Sequence, residues 1–133
     1  MIVAFTGTRR GVTLPQSQAL TTWLDRCVRG TFLHGDCIGA DAYAAQRARD
    51  LGWMVECYPC TIAAKRAYAG GHVIHDPAPP LVRNRAMVDR CDVLVACPGE
   101  AIEQLRSGTW ATIRYARKIG RPVVLVLPDG SIA

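Results

Sequence analysis

The chain has 133 residues, half of them hydrophobic, and carries a formal net charge of +5 with an isoelectric point near 9.1. This length gives one domain, residues 1–133, with its own core and no room for a second domain. No apolar run is long enough to cross a bilayer and the first residues lack a secretory leader pattern, so we expect a cytoplasmic protein without membrane contact.

The basic residues are scattered along the chain rather than gathered in a block, and only Lys65 and Lys118 are lysines. A preference for arginine suits contacts to phosphate or carboxylate, but solvated helix faces explain it equally well. Without a leader, six cysteines do not indicate a disulfide framework. Cys27, Cys91 and Cys97 fall on apolar positions that are typical of a core.

The first half of the chain alternates strands with helices. Apolar runs predict strands at Ile2–Phe5, Thr31–Leu33 and Met54–Tyr58, and helical spacing predicts helices at Pro15–Arg29 and Ala40–Leu51. Two glycine-rich loops, residues 6–11 and 34–41, follow the first two strands. Glycines at these places let the backbone approach a ligand closely.

Residues 59–80 have no single period, although residues 62–69 allow a short helix, and a segment this long is usually functional or mobile. Cys57, Cys60, His72 and His75 have the composition of a zinc quartet, but their spacers are shorter than those of a zinc finger. The alternative is two loop thiols and two solvated histidines. We therefore predict no metal, with these four residues as the candidate ligands if one binds.

The second half predicts a helix at Leu81–Cys91, a buried strand that starts at Asp92 and stops at Pro98–Gly99, a helix opened by Ser107, and a last strand at Arg121–Leu127. The helix after Ser107 ends at Gly120. Its first backbone amides, at residues 107–109, have no partner within the helix and lie at the positive end of its dipole. This helix start therefore predicts a phosphate site.

Five strands alternating with helices indicate an α/β fold, a single Rossmann-like doubly wound parallel sheet with strand order 3-2-1-4-5. In such sheets ligands bind at the strand C-termini, where the strand order reverses. Here the reversal lies between the first and fourth strands. Four separated stretches should meet in this crevice, and they contribute the predicted ligand-binding residues Gly7, Thr8, Arg9, Gly35, Asp36, Gly39, Asp41, Arg83, Asn84, Arg85, Pro98, Gly99, Ser107, Gly108, Thr109 and Trp110.

Two of these residues have ordinary structural explanations that stay open. Asp41 stands in the first turn of a predicted helix, where a carboxylate interacts favourably with the helix dipole. Trp110 could stack on a base, but an aromatic residue at the start of an amphipathic helix is more often part of the core.

The motifs Thr6-Gly7-Thr8-Arg9, His34-Gly35-Asp36 with Gly39-Ala40-Asp41, Arg83-Asn84-Arg85 and Ser107-Gly108-Thr109-Trp110 together resemble the SLOG superfamily, and most closely its YspA-like branch. This Rossmann-like group joins DNA-processing protein A, the Lonely Guy phosphoribohydrolases and the YspA-like proteins. The resemblance implies a domain that binds nucleotides or nucleotide-derived ligands. It also implies a homo-oligomer, a dimer or larger.

Lonely Guy enzymes release a base from a nucleoside monophosphate through a motif Pro-Gly-Gly-x-Gly-Thr-x-x-Glu, assisted by an upstream arginine. Pro98-Gly99 and Gly108-Thr109 match this motif with an insertion between them, but Thr112 occupies the position of the catalytic glutamate. Glycosidic cleavage generally requires a carboxylate, which a threonine does not supply. If the chain is an enzyme, the residues Asp36, Asp41, Glu100 and Arg83 are the catalytic candidates.

The sequence thus favours a protein that binds a nucleotide-derived small molecule, with the phosphate on residues 107–109 and no additional cofactor. The first alternative is N-glycosidic cleavage of a nucleoside monophosphate. The second is single-strand DNA binding, against which the absence of a basic stripe argues.

Overall fold

The computed structural model describes all 133 residues and contains six strands and four α-helices. The strands are β1 (Ile2–Gly7), β2 (Thr31–His34), β3 (Met54–Cys57), β4 (Val73–Ile74), β5 (Val93–Cys97) and β6 (Val123–Leu125). The helices are α1 (Leu14–Arg26), α2 (Ala40–Asp50), α3 (Pro80–Arg90) and α4 (Gly108–Lys118), and a short 3-10 turn spans Ala63–Lys65. All strands pair in parallel in the order β4-β3-β2-β1-β5-β6.

The prediction of five strands is wrong by one. The five predicted strands are present and neighbour one another in the predicted order, but β4 extends the sheet beyond β3. It lies in the 59–80 segment, for which the sequence predicted no strand. Both of its residues are exposed, so the strand lacks the apolar alternation by which a strand is recognised.

Helices cover both faces of the sheet, as a doubly wound fold requires. On one face, Leu20 and Leu24 of α1 pack with the alanines of α2 against β1, β2 and β3. On the other face, Met87 of α3 and Ile113 of α4 pack against Leu94 of β5. No helix of the structure has the length and apolar character needed to span a membrane.

Polar side chains fix where two of the helices begin. The Thr13 hydroxyl accepts from the Gln16 amide while the Gln16 side chain accepts from the Thr13 amide, a reciprocal cap at the start of α1. Ser107 caps α4, as predicted, and accepts from the Trp110 amide at 3.2 Å. The first helix ends at Arg26, three residues before its predicted end at Arg29.

The C-terminal end of β1 is the centre of the region that matters for function. β1 pairs with β2 on one side and with β5 on the other, and the connections after these two neighbours leave on opposite faces of the sheet. The amide of Thr8 donates to the Cys97 carbonyl at 3.1 Å, and the amide of Ala40 donates to the Thr8 carbonyl at 3.0 Å. The loop after β1 is therefore held to the end of β5 and to the start of α2.

Candidate functional site

A cavity of about 520 Å³ opens at the strand C-termini, within the size range of small-molecule sites. The loops after β1 and β5, the first turn of α3 and the start of α4 form its wall. Eleven of the residues named from the sequence line it: Gly7, Thr8, Arg9, Asp41, Arg83, Asn84, Gly99, Glu100, Ser107, Gly108 and Thr109. The four separated stretches therefore meet in one place.

The start of α4 presents two free backbone amides to this cavity. Ser107 uses its hydroxyl to cap the Trp110 amide, and its own amide donates to the Gln104 carbonyl at 3.3 Å. The amides of Gly108 and Thr109 have no acceptor in the protein. Because helix dipoles favour negative charge at this end, these two donors suit an anionic group. Of the three amides predicted to be free, the one at Ser107 is not.

The cavity wall carries more positive than negative charge. Five cationic side chains (Arg9, Arg10, Lys65, Arg83 and Arg106) face two carboxylates (Asp41 and Glu100). Arg10 forms a salt bridge to Glu100 at 2.5 Å. Arg9, Lys65 and Arg106 have no side-chain hydrogen bond or salt bridge in the protein. These three unpaired cations make the cavity attractive to an anion.

Arg10, Lys65 and Arg106 are lining residues that the sequence reasoning did not select. Arg10 and Arg106 stand beside predicted site residues, so adjacency to the glycine-rich loop and to the helix cap was the available signal. Lys65 lies in the irregular 59–80 segment and approaches the site because the Ile38 amide donates to the Lys65 carbonyl at 3.2 Å. Nothing in the local sequence indicates that contact.

Arg83 is buried and links three parts of the backbone. Its Nη1 atom donates to the carbonyls of Gly35 and Tyr58, and its Nε atom donates to the Pro80 carbonyl at 3.3 Å. The Nη2 atom contacts the Cys37 thiol at 3.4 Å. A guanidinium has five N–H donors, so these contacts leave one on Nη2 for a molecule in the cavity. Arg83 therefore holds the ends of β2 and β3 and contributes charge at the same time.

Asp41 lines the cavity but is already held by the protein. One of its carboxylate oxygens accepts from the amides of Gly35 at 2.9 Å and Cys37 at 3.2 Å, which fixes the loop between β2 and α2. Burial raises the pKa of Asp41, and this effect outweighs the opposing influence of His34, Arg83 and the two amides. A carboxyl with a raised pKa in a cavity is a candidate for proton transfer.

Asp36 does not reach the cavity. Its side chain is fully buried, accepts from Arg66 Nε at 2.9 Å and the Ala69 amide at 2.8 Å, and its backbone has a φ of +59°. These contacts hold the 66–69 segment against the end of β2. The placement gives Asp36 a structural role and does not support its prediction as a catalytic or ligand-binding residue.

Glycines at three positions let the loops approach one another closely. A Cβ atom at Gly7 would lie 2.5 Å from Ala40 Cβ, and one at Gly99 would lie 2.2 Å from Arg10 Nη2. Gly39, at a φ of +96°, allows the start of α2 to pass the Arg9 carbonyl, which a Cβ would approach to 2.4 Å. A Cβ atom at Gly35 would lie 2.7 Å from Arg83 Nη1, so Gly35 and Gly39 allow close packing next to the cavity although neither residue lines it.

Three further predicted residues, and Thr112, lie away from the cavity wall. Trp110 is buried in the core beside α3, which agrees with its structural alternative and not with base stacking. Arg85 is exposed and lies over the Tyr115 ring, with the guanidinium carbon 5.0 Å from the ring centroid. The Pro98 carbonyl accepts from Gln16 Nε2 at 2.8 Å. Thr112, at the position of the family glutamate, donates to the Gly108 carbonyl at 2.9 Å within its own helix.

The zinc candidates are not gathered into one site. Cys57 and Cys60 are buried, the His72 ring accepts from the Val55 amide at 3.0 Å, and His75 pairs with Glu56 at 2.8 Å. The group of potential ligand atoms that does lie within 4.8 Å consists of His34, Asp36 and Cys57.

The potential ligand atoms of His34 and Asp36 already form hydrogen bonds within the protein. His34 Nδ1 accepts from the Asp36 amide at 3.0 Å and Nε2 contacts the Gly70 carbonyl at 2.7 Å, while Asp36 is bound to Arg66. Burial also raises the pKa of Cys57 to about 12, so its thiolate is disfavoured. These contacts explain the cluster as a hydrogen-bonded core.

Comparison with solved structures identifies the fold. A molybdenum cofactor binding protein from the phototrophic bacterium Rippkaea orientalis superposes with a TM-score of 0.71 at 19% identity, over 96% of this chain and 77% of that one. The molybdenum cofactor carrier protein of Chlamydomonas reinhardtii gives 0.65 at 18% identity, over 93% and 74%.

DNA processing protein A from Helicobacter pylori, whose structure describes a single-stranded DNA binding mode, gives a TM-score of 0.66 at 19% identity. The match covers 94% of this chain but 64% of that protein. No protein-family sequence model matches the chain, and no curated protein sequence matches it closely enough to count as a relative. The chain therefore has the Rossmann-like fold of DNA processing protein A and the molybdenum cofactor carriers, the fold that its resemblance to the SLOG superfamily implies.

Proposed function

We propose that the protein binds a nucleotide or nucleotide-derived small molecule in the cavity at the strand C-termini, with the phosphate on the free amides of Gly108 and Thr109. The observation that carries this proposal is the combination of two unpartnered helix amides with unpaired cations in one cavity. A neutral ligand would leave all of these donors without a counter-charge. Arg106 and Arg9 complete the anion site.

The remaining wall suits the rest of such a ligand. Pro80 and Leu81 contribute apolar surface, with the buried Phe5 and Met87 packed behind it, and Asn84 contributes an amide beside them. Pockets of this kind hold the body of a ligand by apolar contact and orient it with a few polar groups. The fold neighbours bind a molybdenum cofactor and single-stranded DNA, and a phosphate group is the ligand feature that this cavity suits best.

Titration calorimetry with AMP and with adenosine tests this proposal. We expect AMP to bind and adenosine to bind at least tenfold more weakly, since about 1.5–3 kcal/mol is typical of hydrogen bonds to a charged group. Arg106→Gln should weaken AMP and leave adenosine unchanged, whereas Arg117→Gln, in the last turn of α4, should change neither. Equal affinities for the two ligands would refute the phosphate site.

The enzymatic alternative depends on Asp41, because it is the cavity carboxyl whose pKa burial raises. N-glycosidic cleavage would need this group, or Glu100 released from Arg10, to act on the ligand. Chromatographic detection of free adenine from AMP measures the activity. If Asp41→Asn and Glu100→Gln leave the rate of base release unchanged, neither carboxylate is catalytic.

Single-strand DNA binding is the alternative that the Helicobacter pylori neighbour suggests. Its expected signature is an affinity that falls steeply with salt. The proposal of a small ligand predicts instead that a long oligonucleotide binds no more tightly than a short one.

Homo-oligomerisation is a further proposal. It is supported by three exposed apolar residues, Leu81, Val82 and Leu105. Sedimentation velocity measures the oligomeric state.

A further inference from the structure

The unpaired cations of the cavity lie on two sides of β1. Arg106 immediately precedes the cap of α4, after β5. Lys65 lies on the other side, because its carbonyl accepts from Ile38 and the neighbouring Arg66 pairs with Cys37, just after β2. In the sheet, β1 separates β2 from β5. The backbones of β2 and β5 are therefore two strand spacings apart, which is roughly 10 Å.

The Lys65 side chain lines the cavity but has no binding partner within the protein. Its side chain forms no hydrogen bond or salt bridge, and the residue is exposed. The neighbouring Arg66, in contrast, forms an ion pair with Asp36 and lies over the Tyr68 ring. Lys65 is therefore a free positive charge on the cavity wall, and an anion in the cavity is attracted to it.

We infer that the cavity takes a linear nucleotide ligand with two separated phosphates, one on the α4 amides beside Arg106 and the second beside Lys65. The inference rests on the proposed phosphate site and adds a second one. Leu81, which is exposed, and Pro80 line the same cavity and give the intervening sugar and base an apolar surface to contact. Two directly linked phosphates, as in ADP, are too close together to occupy both positions.

Calorimetry with AMP, ADP and the 5′-phosphorylated dinucleotide pApA tests this inference. We expect pApA to bind about tenfold more tightly than AMP, and Lys65→Gln to remove that gain, as one charged hydrogen bond would. Because Lys65 also adds to the positive charge of the cavity, the same variant can weaken AMP and ADP, but by clearly less than it weakens pApA, so that the ratio of the pApA to the AMP affinity falls from about ten to about one. Lys65→Arg should keep the gain, because it keeps the charge.

Lys118→Gln is the matched control, since Lys118 is the other lysine and lies at the far end of α4. It should bind all three ligands like the wild type. If AMP binds but pApA gains nothing, or if Lys65→Gln weakens AMP as much as pApA, the second subsite is overturned while the proposed function stands. If neither AMP nor pApA binds, the proposed function fails and this inference fails with it.

Discussion

Single atoms determine how closely the loops of the site pack. Gly7 has no room for a methyl group, because its Cβ would lie 2.5 Å from Ala40 Cβ and 3.1 Å from the Phe5 ring. We expect Gly7→Ala to lower the free energy of unfolding by about 1–3 kcal/mol, the usual effect of overpacking. Gly108→Ala is the control, since a Cβ there meets nothing within 4 Å. Urea denaturation that finds the two variants equally stable would contradict this packing.

Asp36 shows why a site residue named from sequence can be structural. Its carboxylate and Arg66 form an ion pair in which Asp36 is fully buried. Asp36→Asn should destabilise the protein by about 1–3 kcal/mol, because the buried side chain loses its charged hydrogen bonds to Arg66 and to the Ala69 amide. The exposed pair of Asp50 and Arg47 is the comparison, and Asp50→Asn should cost less than about 1 kcal/mol. Thermal melts measure both, and similar melting temperatures for the two variants would argue against the buried pair.

Helices and strands with a clear apolar periodicity could be predicted from the sequence, whereas the two-residue strand β4 could not. Five strands and four helices follow from buried apolar runs and helical spacing. β4 could not be recognised, because a two-residue exposed strand forms only through pairing with Glu56 and Cys57. The helix start at Ser107 was predictable because its cap is local. The contact of Lys65 with the site was not, because it depends on the tertiary path of residues 59–80.

Gln16 connects α1 to the site through two long-range hydrogen bonds. Fully buried, it donates to the carbonyls of Pro98 at 2.8 Å and Val126 at 3.0 Å, and thus holds the ends of β5 and β6. Gln16→Leu should lower the free energy of unfolding by about 1–3 kcal/mol by leaving buried carbonyls unpaired. Gln18→Leu, on the exposed side of α1, should have little effect. Chemical denaturation of both variants decides whether Gln16 has this role.

The edge formed by β3 and β4 should be sensitive to acid. Arg90 holds the pKa of Glu56 below its ordinary value of 4.5, and His75 contributes to the same shift. A carboxyl with a lowered folded-state pKa stabilises the protein above the unfolded pKa and loses that contribution as the pH falls through the folded pKa. Stability should therefore decrease below about pH 4.5, and Glu56→Gln should make this decrease shallower. An unchanged pH profile in that variant would contradict the contribution of Glu56.

At the scale of the whole molecule, the topology determines where the site lies. In a parallel sheet whose strand order reverses beside β1, the loops after β1 and β5 must diverge and leave a crevice. This rule needs only the alternation of strands and helices and the strand order, so the sequence could predict that a crevice lies here, and the structure has a cavity at this place. It could not decide which side chains enter the crevice. Asp36 and Trp110 turn into the core, while Arg10 and Arg106 reach the cavity.

Removal of one backbone amide tests the central claim most directly. Proline is favoured at the first position of a helix, and Ser107, at φ −84° and ψ 128°, has the conformation that a residue before proline requires. Gly108→Pro should therefore fold like Gly108→Ala but lack the Gly108 N–H donor. By calorimetry we expect Gly108→Pro to bind AMP about tenfold more weakly than Gly108→Ala, with adenosine unaffected. Equal AMP affinities in these two variants would contradict a phosphate bound at the start of α4.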